Sequence, residues 1–135
     1  MLRTQVIRAL QAYLQAQNTG PVTIVAQEDD ADLTPPYAVV RIGSAEDIGA
    51  GQVHLWDFNV FIAVFHDAEV TTIDTAEIDA SGIFATLAAP EAVMAHLAAS
   101  GMVPSCWHPL TTESGITETR WNHIAAFRLI ASPSA

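Results

Sequence analysis

Cys106 and His108, in "SCWHPL", stand two residues apart. In an extended strand that spacing puts both side chains on one face, where a thiolate and an imidazole could share a soft metal ion. His123, in the next strand-like segment, would be the third ligand. No second paired motif, no H-E-x-x-H and no glycine-flanked serine accompanies them, and so weak a spacing signal favours a buried thiol and a surface histidine over a metal site. His54, His66 and His96 are scattered and are expected on surfaces. Carboxylates come in groups: Glu28 with Asp29 and Asp30, Glu46 with Asp47, Asp67 with Glu69, Glu77 with Asp79. Acid–base catalysis needs a pocket that shifts a carboxyl pKa, whereas these fall in loops or on outer helix turns, where solvation explains them. "GSAEDIGAG" is glycine-rich but lacks the lysine of a phosphate loop. The reading is therefore non-enzymatic, with no catalytic, cofactor-binding or metal-binding residue assigned. Trp56, Trp107 and Trp121 fit a core or an interface better than a ligand platform at strand spacing.

These residues ride on elements that the hydrophobic pattern delineates. Leu2, Val6, Leu10, Tyr13 and Leu14 recur at helical spacing, and "NTGP" ends that helix. "VTIVAQ" and "YAVVRI" read as short strands, separated by the acidic loop "EDDADLTPP". "GSAEDIGAG" reads as a flexible connection. "GQVHLWDFNVFIAVF", residues 51–65, is a long strand with an unusual property. One face carries Trp56, Phe58, Val60, Ile62 and Val64. The other carries Phe61, Ala63 and Phe65 around Asp57 and Asn59, and so is also largely apolar. A half-solvated strand would alternate more cleanly.

"TAEIDASGIFATLAA" predicts a helix capped by Thr75 or Asp74, and "PEAVMAHLAASG" a second one with Pro90 in its first turn and Gly101 past its end. Two strands close the chain, "SCWHPL" and "ETRWNHIAAFRLIA", joined by "TTESG"; Pro109 marks the first as an edge or bulged strand. In the last strand Arg120 and Arg128 alternate with Asn122, Ile124, Ala126 and Ile130, opposite Trp121, His123, Ala125, Phe127 and Leu129. A basic and aliphatic face of that kind suits either solvent or a subunit interface. The order implies one α+β domain over residues 1–135, with an antiparallel or mixed sheet of about four to five strands and two to three helices packed on one face.

Composition narrows the partners. Fifteen acidic residues face five arginines and no lysine, a net charge of −10. That balance opposes adhesion to nucleic acid or an anionic membrane. No run approaches the ~20 apolar residues of a membrane span, and "MLRTQVIRALQAYLQAQ" is amphipathic, unlike a signal peptide. A single cysteine excludes an intrachain disulfide.

The succession of an N-terminal amphipathic helix, "PPYAVVRI", the aromatic strand "HLWDFNVFIAVF", the helix "TAEIDASGIFATL" and the final strand "ETRWNHIAAFRLIA" resembles the tail terminator (tail completion) proteins of long-tailed bacteriophages and related prophage or tail-like particles. The likeness runs from about residue 2 to 131 as a pattern of elements; residues 90–101 have no counterpart in it, and the charge is more acidic than is usual there. It implies a virion assembly protein of the tail or neck, assembled in the host bacterial cytoplasm. Such proteins form a ring, commonly a hexamer, on the head-proximal end of the tail tube, end its polymerisation and offer a surface to the head connector. The implied partners are further copies of the chain, the tail tube protein and the head connector or neck protein. DNA passes through the lumen without specific binding, and neither membrane nor cofactor is involved.

On that basis Asp57, Asn59, Phe61, Arg120 and Arg128 are candidate subunit-interface residues, with Asp57 and Asn59 awaiting a neighbour's donors. Glu28, Asp29, Asp30, Asp32, Glu46 and Asp47 are candidate lumen or loop acids. Three alternatives stay open: a head-closure or head–tail joining protein, a small metal-binding or enzymatic domain built on Cys106, His108 and His123, and a small-ligand module using the tryptophans.

Overall fold

The heptad-like spacing at the N-terminus does form a helix, α1 (Leu2–Gln17), which turns Val6, Ile7, Leu10, Tyr13 and Leu14 into the core. The computed structural model describes residues 2–26, 33–50 and 54–133. After α1 come strands β1 (Thr23–Ala26), β2 (Tyr37–Asp47) and β3 (Trp56–Asp67), helices α2 (Ile73–Thr86) and α3 (Pro90–Ala99), and strands β4 (Met102–Thr117) and β5 (Arg120–Pro133). The five strands make one sheet in the order β1-β2-β3-β5-β4. Strands β1 and β2 run parallel, and every other pair is antiparallel. This is the α+β class with a mixed sheet that the sequence predicts, carrying three helices.

All three helices contribute to one core with a single face of the sheet. Phe58, Val60, Ile62 and Val64 of β3, Ala125, Phe127, Leu129 and Ala131 of β5, and Trp107 of β4 meet Leu10, Ile83, Val93 and Leu97 there. Trp107 stacks on Phe127 at 4.8 Å and donates its Nε1–H to the Leu87 carbonyl at 2.8 Å, so its polar edge is satisfied inside the core.

Local chemistry sets the boundaries. Thr72, not Thr75 or Asp74, caps α2: its hydroxyl oxygen accepts the Thr75 N–H at 3.3 Å. Helix α3 begins on Pro90 and stops at Gly101, whose φ of +92° is left-handed. "GSAED" is no loose connection but the second half of β2, beyond a register shift at Gly43. "TTESG" likewise lies inside β4, and the hairpin closes at Glu118–Thr119, with Glu118 at φ 56°. Both bulges of β4 lie next to its prolines, Pro104 and Pro109, on an edge strand as expected. The other edge is blunted from α1: Gln15 and Gln11 donate to the Ile24 carbonyl of β1 at 3.2 and 3.5 Å.

Candidate functional site

Among the described residues no helix lies on the second face of the sheet, and that face is the candidate assembly surface. Strand alternation sends Asp57, Asn59 and Phe61 of β3 to this side, and the cross-strand register aligns them with Ile130, Arg128 and Ala126 of β5. Arg120 lies on the same side, opposite Asp67. The five residues singled out from the sequence thus share one surface. Their bonding differs from expectation in one respect, because the protomer supplies its own donors. Arg128 grips Asp57 with both Nε (3.1 and 3.2 Å) and Nη2 (2.7 Å). Asn59 donates to the Ser44 hydroxyl at 2.8 Å. Asp57 therefore needs no neighbour, since its diagonal partner on β5 is already in reach. The Arg128 hydrogen bonds hold the Asp57 carboxyl below its ordinary pKa, and Asp57 in turn raises that of Arg128.

Apolar side chains fill the space between these polar groups. Phe61 lies across Gly43, where a Cβ would collide with its ring. At the far end Tyr37, Val25 and Val39 cluster with Leu33 and Phe65, and the Tyr37 and Phe65 rings stand 5.0 Å apart. Arg120 completes that end, with its guanidinium 5.7 Å over the Tyr37 ring and Nη1 donating to its hydroxyl at 2.7 Å. Part of this face is thus covered by the chain itself through Leu33. The strip of Phe61, Ile124, Ala126 and Ile130 stays half-exposed.

Two of the candidate lumen acids can be placed. Glu46 lies opposite Asp57 on the open face. Asp47 ends β2, where its carboxylate is 3.1 Å from His54 Nδ1 and accepts the Gly49 N–H at 3.0 Å; the His54 bond is the main cause of its lowered pKa. Glu28, Asp29, Asp30 and Asp32 lie outside the described residues.

The Cys106, His108 and His123 combination comes apart in three dimensions. Cys106 and His108 stand opposite Ile130 and Arg128 on the open face, whereas His123 alternates with Asn122 onto the helix face. Among the described residues no cluster of three or more His, Cys, Asp or Glu side chains could hold a metal ion. The histidines expected on surfaces are partly interior. His66 is only 2% exposed, its Nε2 2.9 Å from Asp79 Oδ2 on α2, and His96 Nε2 lies 2.8 Å from the Ala9 carbonyl. His123 is buried with neither ring nitrogen hydrogen-bonded, and burial pushes its pKa down against the pull of Glu77. The three tryptophans form no platform: Trp107 is in the core, Trp121 donates to the Thr71 carbonyl at 2.9 Å, and Trp56 stacks on Phe58. A groove of about 540 Å³ between α2 and the β4–β5 hairpin is lined by Phe84, Leu110 and His123 and by none of the tryptophans.

Among solved structures, the chain is similar to a protein of the virion of a native gene transfer agent particle. The match has a TM-score of 0.59 at 14% identity and covers 97% of this chain and 94% of the other. No protein-family model matches the sequence. No curated protein matches it either. At that identity the likeness shows a shared fold, spanning nearly the whole of both chains.

Proposed function

We propose that this protein is a non-enzymatic virion assembly protein that forms a ring on the head-proximal end of a tail tube. The ring ends tube polymerisation and presents the surface to which the head connector binds. The observation that carries the reading is the end-to-end match of fold with a virion component at 97% and 94% coverage. The order of elements, which resembles tail terminators, supports it independently.

The mechanism is occupancy and needs no covalent step. A ring of identical subunits joined head to tail uses two different surfaces per protomer. The open sheet face suits one of them, because it combines half-exposed aliphatic and aromatic side chains with Arg120 and the Arg128–Asp57 pair. Once the tube end is covered, no growing surface remains. The chain's net charge of −10 is multiplied by the number of subunits, and acids turned to the lumen, such as Asp47 at the end of β2, would repel DNA phosphates and let the genome pass without sticking.

Deleting the gene in the strain that produces the particle tests this directly, with tails viewed by electron microscopy. Tails of uncontrolled, excessive length, corrected by a plasmid copy, are expected. Normal-length tails detached from heads would instead identify a head–tail joining protein and overturn the terminator assignment.

A further inference from the structure

Buried polar atoms without a partner gather at one place in the fold. Among the described residues they are His66 Nδ1 and both ring nitrogens of His123. In the β3–β5 ladder His123 stands opposite Val64, two residues from His66, so the two imidazoles are diagonal neighbours on the helix face. Both lie beneath α2, His66 at 2% and His123 at 5% exposure. We infer that this pair forms an acid-sensitive latch: a proton taken up by His123 lifts the middle of α2 off the sheet while the rest of the fold stays closed.

The hold on α2 is slight. Only Ala76, Ala80 and Ile83 of its fourteen residues are buried, which is little apolar area to expose. Among the described residues one side-chain hydrogen bond ties the helix to the sheet, His66 Nε2 with Asp79 Oδ2 at 2.9 Å. The two ends are pinned separately. Trp121 Nε1–H donates to the Thr71 carbonyl just ahead of the helix, and the Tyr13 hydroxyl donates to the Thr86 carbonyl at 3.0 Å. The middle is therefore the part that yields. Beside it runs the groove lined by Ala80, Phe84 and His123, which already brings solvent alongside the ring. A short outward movement of α2 hydrates His123 without unfolding the core.

The groups around His123 set the sign. Helix α2 faces it with Glu77 and Asp79, and β3 with His66. Strand β4 offers only Ser114 and Thr112 on this face, neither titratable; Glu113 pairs with Ile124 on the other side. Glu77 favours the charged ring, but burial opposes it more strongly and His66 adds to the opposition. Asp79 is engaged by His66. The closed state thus resists the proton, and the lifted state, with a hydrated ring, accepts it near the ordinary histidine pKa of about 6.5. Acid favours lifting, and a pH above about 7 favours closure.

Amide hydrogen exchange of the full chain at about pH 7.5 and about pH 5.5, corrected for intrinsic exchange chemistry, tests the latch. The opening constants of α2 amides beyond the first turn should rise by up to about tenfold at the lower pH, the limit for one histidine that stays neutral in the closed state. These amides should open without response to low urea, whereas those of α1 and β5 should exchange only with global unfolding. His123→Leu should abolish the pH response, and His123→Gln, which cannot titrate either, serves if the leucine variant is misfolded. Amides of α2 that open only together with those of α1 and β5 would overturn the latch. So would opening constants that agree within about twofold at the two pH values, or a response that survives in the His123 variants.

Discussion

His123 shows most clearly how a single side chain links burial to solution behaviour. It sits beneath α2 with both ring nitrogens unpartnered, and the neighbouring Glu77 does not offset the burial that lowers its pKa. The unfolded chain takes up a proton on this histidine as pH falls through about 6.5. The folded chain resists until a lower pH, so the unfolded state binds more protons in between and gains ground. Stability is thus full above about pH 7 and declines as pH drops from about 6.5 towards the folded-state pKa. Urea midpoints measured from pH 8 to pH 5 should fall over that window. His123→Leu should flatten the curve and raise stability by about 1 kcal/mol, because an apolar side chain removes two buried unsatisfied nitrogens. An unchanged slope in that variant would assign the pH response to other groups.

Among the elements, the β4–β5 hairpin carries a strain that can be relieved. Its two-residue turn places Glu118 at φ 56°, a conformation that costs an L side chain on the order of 1 kcal/mol. Glu118→Asn should raise the thermal midpoint, since asparagine tolerates the left-handed region, and Glu118→Val should lower it; calorimetry would read both. This turn also explains what the sequence conceals. Ser114 and Gly115 look like a turn, yet both lie within paired β4, and the chain reverses at Glu-Thr, which has no turn signature. "GSAED" misleads in the same way, because Gly43 makes room for the Phe61 ring at a bulge and does not end the strand. The core elements were legible because their periodicity runs long: α1, β3 and β5 each present one long, mostly apolar face. The interior histidines were not, because polar residues buried by tertiary packing leave no periodic signal. Asp57 and Arg128 could be assigned to one face from alternation alone, but their mutual ion pair depends on the β3–β5 register, which no local pattern encodes.

At the scale of the whole molecule, the architecture is asymmetric. One side of a five-stranded sheet is sealed by three helices; the other bears a partly apolar, arginine-containing surface that, among the described residues, Leu33 covers at one end. Distinct front and back surfaces suit the head-to-tail ring proposed above, and the acidic surplus would make such a ring unattractive to DNA. The same surplus predicts that assembly is helped by salt, which screens the repulsion between protomers of like charge. The measurement that bears most directly on this account is the mass of the wild-type protein by light scattering over a wide concentration range at physiological salt. A species of about six times 14.4 kDa that grows in with concentration is the predicted result. A protein that remains at 14.4 kDa throughout would contradict it.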